Sequence, residues 1–126
     1  MTSEIRILPL AAYVEVIATT SVVDVRMMCS LLDLVSAAAK TYSTLRVLME
    51  VDAPATEVGV PELIDIWKYA AEKGLRRIRL AHVITGRPLI EGDISFKEAY
   101  AYNRGLQIKT FARREPALAW LMTENP

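Results

Sequence analysis

The stretch "LRVLMEV", Leu45 to Val51, decides the fold. It is rich in leucine and valine, and only Arg46 and Glu50 interrupt it. A strand with one face in water alternates apolar and polar residues. A nearly continuous apolar run instead belongs to a strand covered on both faces, as in the middle of a parallel sheet. Parallel neighbours need long crossovers, so helices are expected on either side of this strand.

Both are legible. Downstream, "DAPATEVGVPEL" (Asp52 to Leu63) leads into a helical period from Pro61 to Lys73, with Leu63, Ile66, Trp67 and Ala70 as the buried stripe. Pro61 suits a first turn because its missing N–H is not needed there. Glu62 and Asp65 favour the positive end of the helix, and Gly74 is its stop. Upstream, Met28, Leu31, Leu32, Val35 and Ala38 recur at three and four, which predicts a helix from Val22 to Lys40. Ser21 with Asp24 makes a weak capping box at its start. The other flank of this helix carries Val22, Met27, Leu34 and Ala37. So wide an apolar surface implies packing on two sides, or a homodimer built on Val22 to Ala39.

Before that helix, "EIRIL" (Glu4 to Leu8) and "YVEVIAT" (Tyr13 to Thr19) alternate and read as an antiparallel hairpin joined by "PLAA". Beyond the central region, "RIRLAHVIT" (Arg77 to Thr85) is a strand and "GRPLIEGD" (Gly86 to Asp93) a loop. Ser95 and Glu98 form a capping box, with Ile94 as its hydrophobic staple, ahead of a short helix ending near Gly105. "LQIKTF" (Leu106 to Phe111) is a last strand, and Glu115 to Met122 a last helix with Pro116 in its first turn. The order is β-β-α-β-α-β-α-β-α. It describes one α/β domain over residues 1–126 with a mostly parallel sheet, the first strand antiparallel at its edge.

Composition narrows the function. Of 126 residues, 52% are hydrophobic and 24% charged, which is enough apolar surface for a core without staples. Fifteen basic and fifteen acidic residues cancel, so no global field draws the chain to nucleic acid or an anionic membrane. Lys73, Arg76, Arg77 and Arg79 come closest to a basic patch. Phe96, Tyr100 and Tyr102 beside Arg104 offer rings for base stacking, but Tyr102 leaves the face that Phe96 and Tyr100 share. No apolar run is long enough to span a bilayer, and the polar start Met1 to Glu4 is unlike a signal peptide. The single cysteine, Cys29, excludes an intrachain disulfide and a thiolate cluster, and fits a reducing, cytoplasmic setting. The single histidine, His82, removes most histidine-based metal sites and weakens any classical triad.

The whole pattern resembles the STAS/SEC14-type, SpoIIAA-like proteins. The closing "IKTFARREPALAWL" carries the resemblance best, through Phe111, Arg113, Arg114, Glu115, Ala117, Leu118, Ala119, Trp120 and Leu121. The resemblance implies a small cytoplasmic domain without catalytic residues. Relatives of the anti-sigma factor antagonist kind are switched by a phosphorylated serine after the central strand. With Asp52 as the first aspartate of that pattern, the serine position falls at about Pro61, between Val60 and Glu62, where no hydroxyl is offered. No phosphorylation is expected.

Several residues remain as a candidate ligand or partner surface. Asp52, Thr56, Glu57 and Gly59 lie where the central strand hands over to a helix, a usual place for ligands in α/β folds. That loop lacks the glycines of a phosphate cradle, and its acids would repel an anion, so it reads as a stiffened turn. His82 sits in mid-strand with no carboxylate or nucleophile beside it in sequence, and is expected to be hydrogen-bonded within the protein. Arg87, after a glycine at a strand end, can reach a carboxylate or phosphate. Leu89 and Ile90 either fold back on the core or form a lid or oligomer contact.

The expectation is a non-catalytic binding or regulatory module acting through protein contacts, with no cofactor and no metal. The alternatives are a carrier of a small apolar ligand or lipid, and an enzyme using His82. A carrier should have a continuous apolar cavity between sheet and helices, and an interaction module a filled core.

Overall fold

The computed structural model describes residues 4–123, so the first three residues of the polar start lie outside it. Strands β1 (Glu4–Pro9) and β2 (Val14–Thr19) form the expected antiparallel hairpin, with Glu4 opposite Thr19 and Pro9 opposite Val14. The sheet continues through β4 (Arg46–Asp52), β6 (Arg79–Thr85) and β7 (Gln107–Phe111), in the order β1-β2-β4-β6-β7. Every pairing after the first is parallel. The stretch Leu45 to Val51 is thus central, between β2 and β6, and Val47, Leu48 and Met49 are fully buried.

The period-two geometry of strands sorts the core into two layers. Val14, Val16, Val47, Met49, Val51, Leu80 and Ile108 face one side. There they meet α1 (Val25–Thr41), α2 (Val60–Glu72) and α3 (Glu91–Asn103). Leu48, Ala81 and Val83 face the other side, covered by α4 (Arg114–Leu121) through Ala117 and Leu121. The C-terminal run that carried the family resemblance supplies this second layer. Arg114 clamps α4 to two strands, donating to Glu15 of β2 and, at 3.1 Å, to Glu50 of β4. Trp120 lies 6.0 Å from Phe111 and under the Arg79 guanidinium at 4.1 Å. Arg79 is therefore buried rather than part of a basic patch, and Arg76 is turned to the Arg104 carbonyl at 3.1 Å.

Four local expectations are corrected. Val22 and Val23 do not begin the first helix. They form β3, paired in parallel with β5 (Ala55–Thr56), and α1 starts at Val25. Asp24, not Ser21, caps it, accepting from Met27 N–H at 2.8 Å. Second, the stretch after Asp52 is more than a turn, because β5 lies within it and Glu57 N–H donates to the Val23 carbonyl at 2.7 Å. Third, β6 begins at Arg79 because Leu75–Arg77 coil into a 3-10 turn behind Gly74, whose φ of 81° suits only glycine well. Fourth, α3 begins at Glu91, one turn before the Ser95 and Glu98 box. Glu91 and Asp93 supply the acidic first turn. Glu98 instead reaches across to accept from Thr110 N–H at 2.8 Å, closing a free donor of the edge strand β7.

The apolar width of α1 is used within the chain. Met28, Leu31, Leu32 and Val35 are buried against the sheet, while Met27 and Leu34 pack on the same core, which α2 joins through Ile66, Trp67 and Ala70. At α2 Tyr69 donates to Asp33 of α1 at 2.7 Å. Packing on two sides, the first of the two explanations offered by the sequence, accounts for it.

Candidate functional site

The helix layer does not fill the sheet evenly. Between β6, β7, α2, α3 and the β3–β5 pair lies a pocket of about 210 Å³. Its walls are mostly apolar, with Met28, Val58, Leu63, Ile66, Ile84 and Ile94 among them. The cause is the composition of α3. Its inward positions are Ile94, Lys97 and Ala101, spaced three and four apart, and a lysine and an alanine stand where a core helix places large apolar residues.

Of the six candidate residues, Thr56, Gly59, His82 and Arg87 line this pocket, and Asp52 and Glu57 do not. Thr56 accepts from Val58 N–H at 3.0 Å, and Gly59 opens α2 with its N–H on the Glu62 carboxylate at 2.8 Å. Arg87 sits at the mouth, one N–H 3.4 Å from the Ala53 carbonyl. Asp52 has a structural place instead. Its carboxylate packs on Gly86, where φ is 90° and a Cβ would lie 2.7 Å from Asp52 Oδ1. Glu57 is exposed, with its backbone in the rim. Leu89 and Ile90 border the pocket, and Ile90 remains 66% exposed, so this loop is a rim rather than core cover. Pro61 stands in the first turn of α2.

The floor is polar. His82 and Lys97 are only 4% and 6% exposed, and Lys97 Nζ lies 2.5 Å from His82 Nδ1. When Lys97 is charged, Nδ1 accepts from it and the ring proton lies on Nε2; a neutral amine can satisfy the pair in either direction. Burial lowers both groups: His82 titrates well below its usual 6.5, with Lys97 and Arg87 pushing the same way. Lys97 is brought from 10.5 to about 7, chiefly by burial, with Glu98 opposing and Arg87 assisting. Lys97 also lies 5.5 Å from the Trp67 ring centre. His82 and Thr110 are opposite one another in the β6–β7 ladder.

Lys97 was not singled out by the sequence. The signal available was a single charge on the stripe Ile94–Lys97–Ala101, which is hard to separate from a solvated helix face until the helix start is known. His82 is hydrogen-bonded within the protein, as its mid-strand position suggested. Neither a carboxylate nor a serine or cysteine bonds it among the described residues. Phe96 and Tyr100 share a face, their ring centres 6.2 Å apart, with Tyr102 turned away and 79% exposed. Among the described residues no group of three His, Cys, Asp or Glu side chains is placed to hold a metal ion, and no helix is long and apolar enough to cross a membrane.

No family model matches the chain, and no curated protein matches it. Its architecture is similar to the crystal structure of an uncharacterized protein from the DUF3478 family with a SpoIIAA-like fold, from Shewanella loihica PV-4. The two superpose with a TM-score of 0.54 over 94% of this chain and 93% of that one, at 15% identity. The fold is therefore SpoIIAA-like, as the sequence resemblance implied.

Proposed function

We propose that the protein is a non-catalytic binding module that takes a small, largely apolar molecule into the pocket between the sheet, α2 and α3. One observation carries the reading: a pocket of about 210 Å³ with apolar walls and a polar floor, set between the sheet, α2 and α3. For scale, an engineered apolar cavity of about 150 Å³ accommodates benzene. The setting of His82 supports a non-catalytic role, since its hydrogen-bond partner is an amine and not an orienting carboxylate. The carrier reading gains over protein contact through α1, because of the flank that suggested such a contact Met27 and Leu34 pack on the core, Val22 belongs to β3 and Ala37 alone is exposed.

The test is two-dimensional NMR of the native chain titrated with 1-hexanol. The expected result is saturable shifts confined to amides around the pocket, such as those of Thr56, His82 and Thr110. Ile94→Trp, which fills the pocket from α3, should abolish them. Shifts scattered over the surface, or none at millimolar alcohol, would overturn the proposal.

A further inference from the structure

Three buried polar side-chain atoms lack a partner among the described residues: Trp67 Nε1, His82 Nε2 and Thr110 Oγ1. All three belong to residues that line the one pocket. Their chemistry is of one kind. An indole N–H only donates, His82 donates from Nε2 when the protonated Lys97 holds Nδ1, and a threonine hydroxyl donates as readily as it accepts. Lys97 joins them as a fourth donor, 2.5 Å from His82 Nδ1 and 5.5 Å from the Trp67 ring centre. A buried donor left unmatched destabilises the fold, because it has given up its hydrogen bond to water. Three of them at one place call for an acceptor that the chain does not supply.

Resting on the pocket reading above, we propose that the ligand is a short-chain carboxylate, its head seated on Lys97, His82, Thr110 and Trp67 and its chain against Leu63 and Ile84. The size fits a tail of about six carbons, given that a cavity of about 150 Å³ holds benzene. The three unpartnered atoms are closed off from solvent, so the pocket floor must shift for the head to reach them. The charges facing Lys97 are His82 from β6, Arg87 from the loop after it, and Asp93 and Glu98 from α3. α2 presents Leu63, Ile66 and Trp67 there, and β7 presents Thr110. Glu98 is occupied by Thr110 N–H, which leaves Asp93 as the one acid on the pocket lining. Arg87 is the standing cation at the pocket, Lys97 becomes a second one when it is protonated, and Glu98 still acts on Lys97 as an anion.

This arrangement couples binding to a proton. With Lys97 titrating at about 7, its amine is mostly uncharged above neutral pH. An entering carboxylate raises that value and draws a proton from solution. Uptake approaches one proton near pH 8 and fades below about pH 6, where Lys97 is already charged.

The experiment is calorimetry of the native chain with sodium hexanoate and with 1-hexanol at pH 8, in phosphate and in Tris. Hexanoate is expected to bind at least tenfold more tightly than hexanol, with most of a proton taken up. Lys97→Met should lose that preference and the proton while still binding hexanol. Trp67→Phe, which removes the N–H together with part of the indole, should weaken hexanoate by a larger factor than hexanol. Hexanol binding equal to or tighter than hexanoate in the wild type, or no proton uptake, refutes the carboxylate and leaves the pocket. Failure of both probes to bind refutes the pocket as well.

Discussion

Replacing Lys97 by methionine keeps an unbranched side chain, shorter by one heavy atom, and removes an amine that the fold holds at 6% exposure. In the folded protein this amine titrates at about 7, against 10.5 when freely solvated. Between those two values the unfolded chain carries nearly one more proton than the folded one. Stability therefore rises with pH through this window, by up to about 1.4 kcal/mol per pH unit. Below about pH 7 both states are protonated, and the contribution is flat at its least favourable level. From pH 7.5 to 9.5 the gain is about 2–3 kcal/mol. Cys29 and Tyr13 act oppositely, because burial raises both, so stability is lost as pH climbs through their range. Tyr69 does the same through its hydrogen bond to Asp33. All three are present in the variant too, so the difference between wild type and Lys97→Met isolates the amine. Urea unfolding at pH 7.5, 8.5 and 9.5 reads that difference. The wild type should gain about 2–3 kcal/mol on the variant across the series. A difference that stays flat would mean that the amine is charged and solvated in the fold, and the account of the floor would be wrong.

Two further outcomes concern the scaffold. Arg114→Ala leaves Glu15 buried with only the Tyr13 hydroxyl, 3.0 Å away, as donor. Stripping one partner from a buried pair costs about 3–5 kcal/mol, and with Arg114 partly exposed about 2–3 is expected, or ~10 °C in melting temperature. Adding Glu15→Gln should recover at least half of the loss in a double-mutant cycle, and no recovery would deny the pair its role. Gly86→Ala should cost more than Gly74→Ala by calorimetry. Both have positive φ, but only at position 86 does a Cβ fall within 2.8 Å of Ala53 O, while nothing lies near position 74.

The fold was readable wherever hydrophobic period alone decides structure. Leu45 to Val51, the α1 stripe and the α2 stripe were each specified by residues that face one core. The starts of α1 and α3 were not, because short polar side chains compete for the same cap. Ser21 and Asp24 both qualify on paper, and only the pairing of Val22 and Val23 with Ala55 and Thr56 gives the cap to Asp24. Likewise Ser95 and Glu98 satisfy the capping spacing, yet Glu98 finds a free N–H on β7 that no local pattern announces. The pocket was half legible. Thr56, Gly59, His82 and Arg87 were found because they sit at strand ends or are chemically rare in this chain. Trp67, Lys97 and Thr110 were missed because their importance comes from lying together, and they come from three elements far apart in sequence.

The pairing of β3 with β5 has a kinetic meaning. Two residues on each side make the whole ladder, Val22 with Ala55 and Val23 with Thr56, whereas β4 pairs along its full length with β2 and β6. Segments joined by so few hydrogen bonds open by local fluctuation at a small fraction of the global unfolding free energy. Amide protons near the mouth, such as that of Glu57, therefore exchange with solvent long before those of Met49 or Val51. The same chain thus contains a doorway that opens on its own clock, and a sheet behind it that need not move.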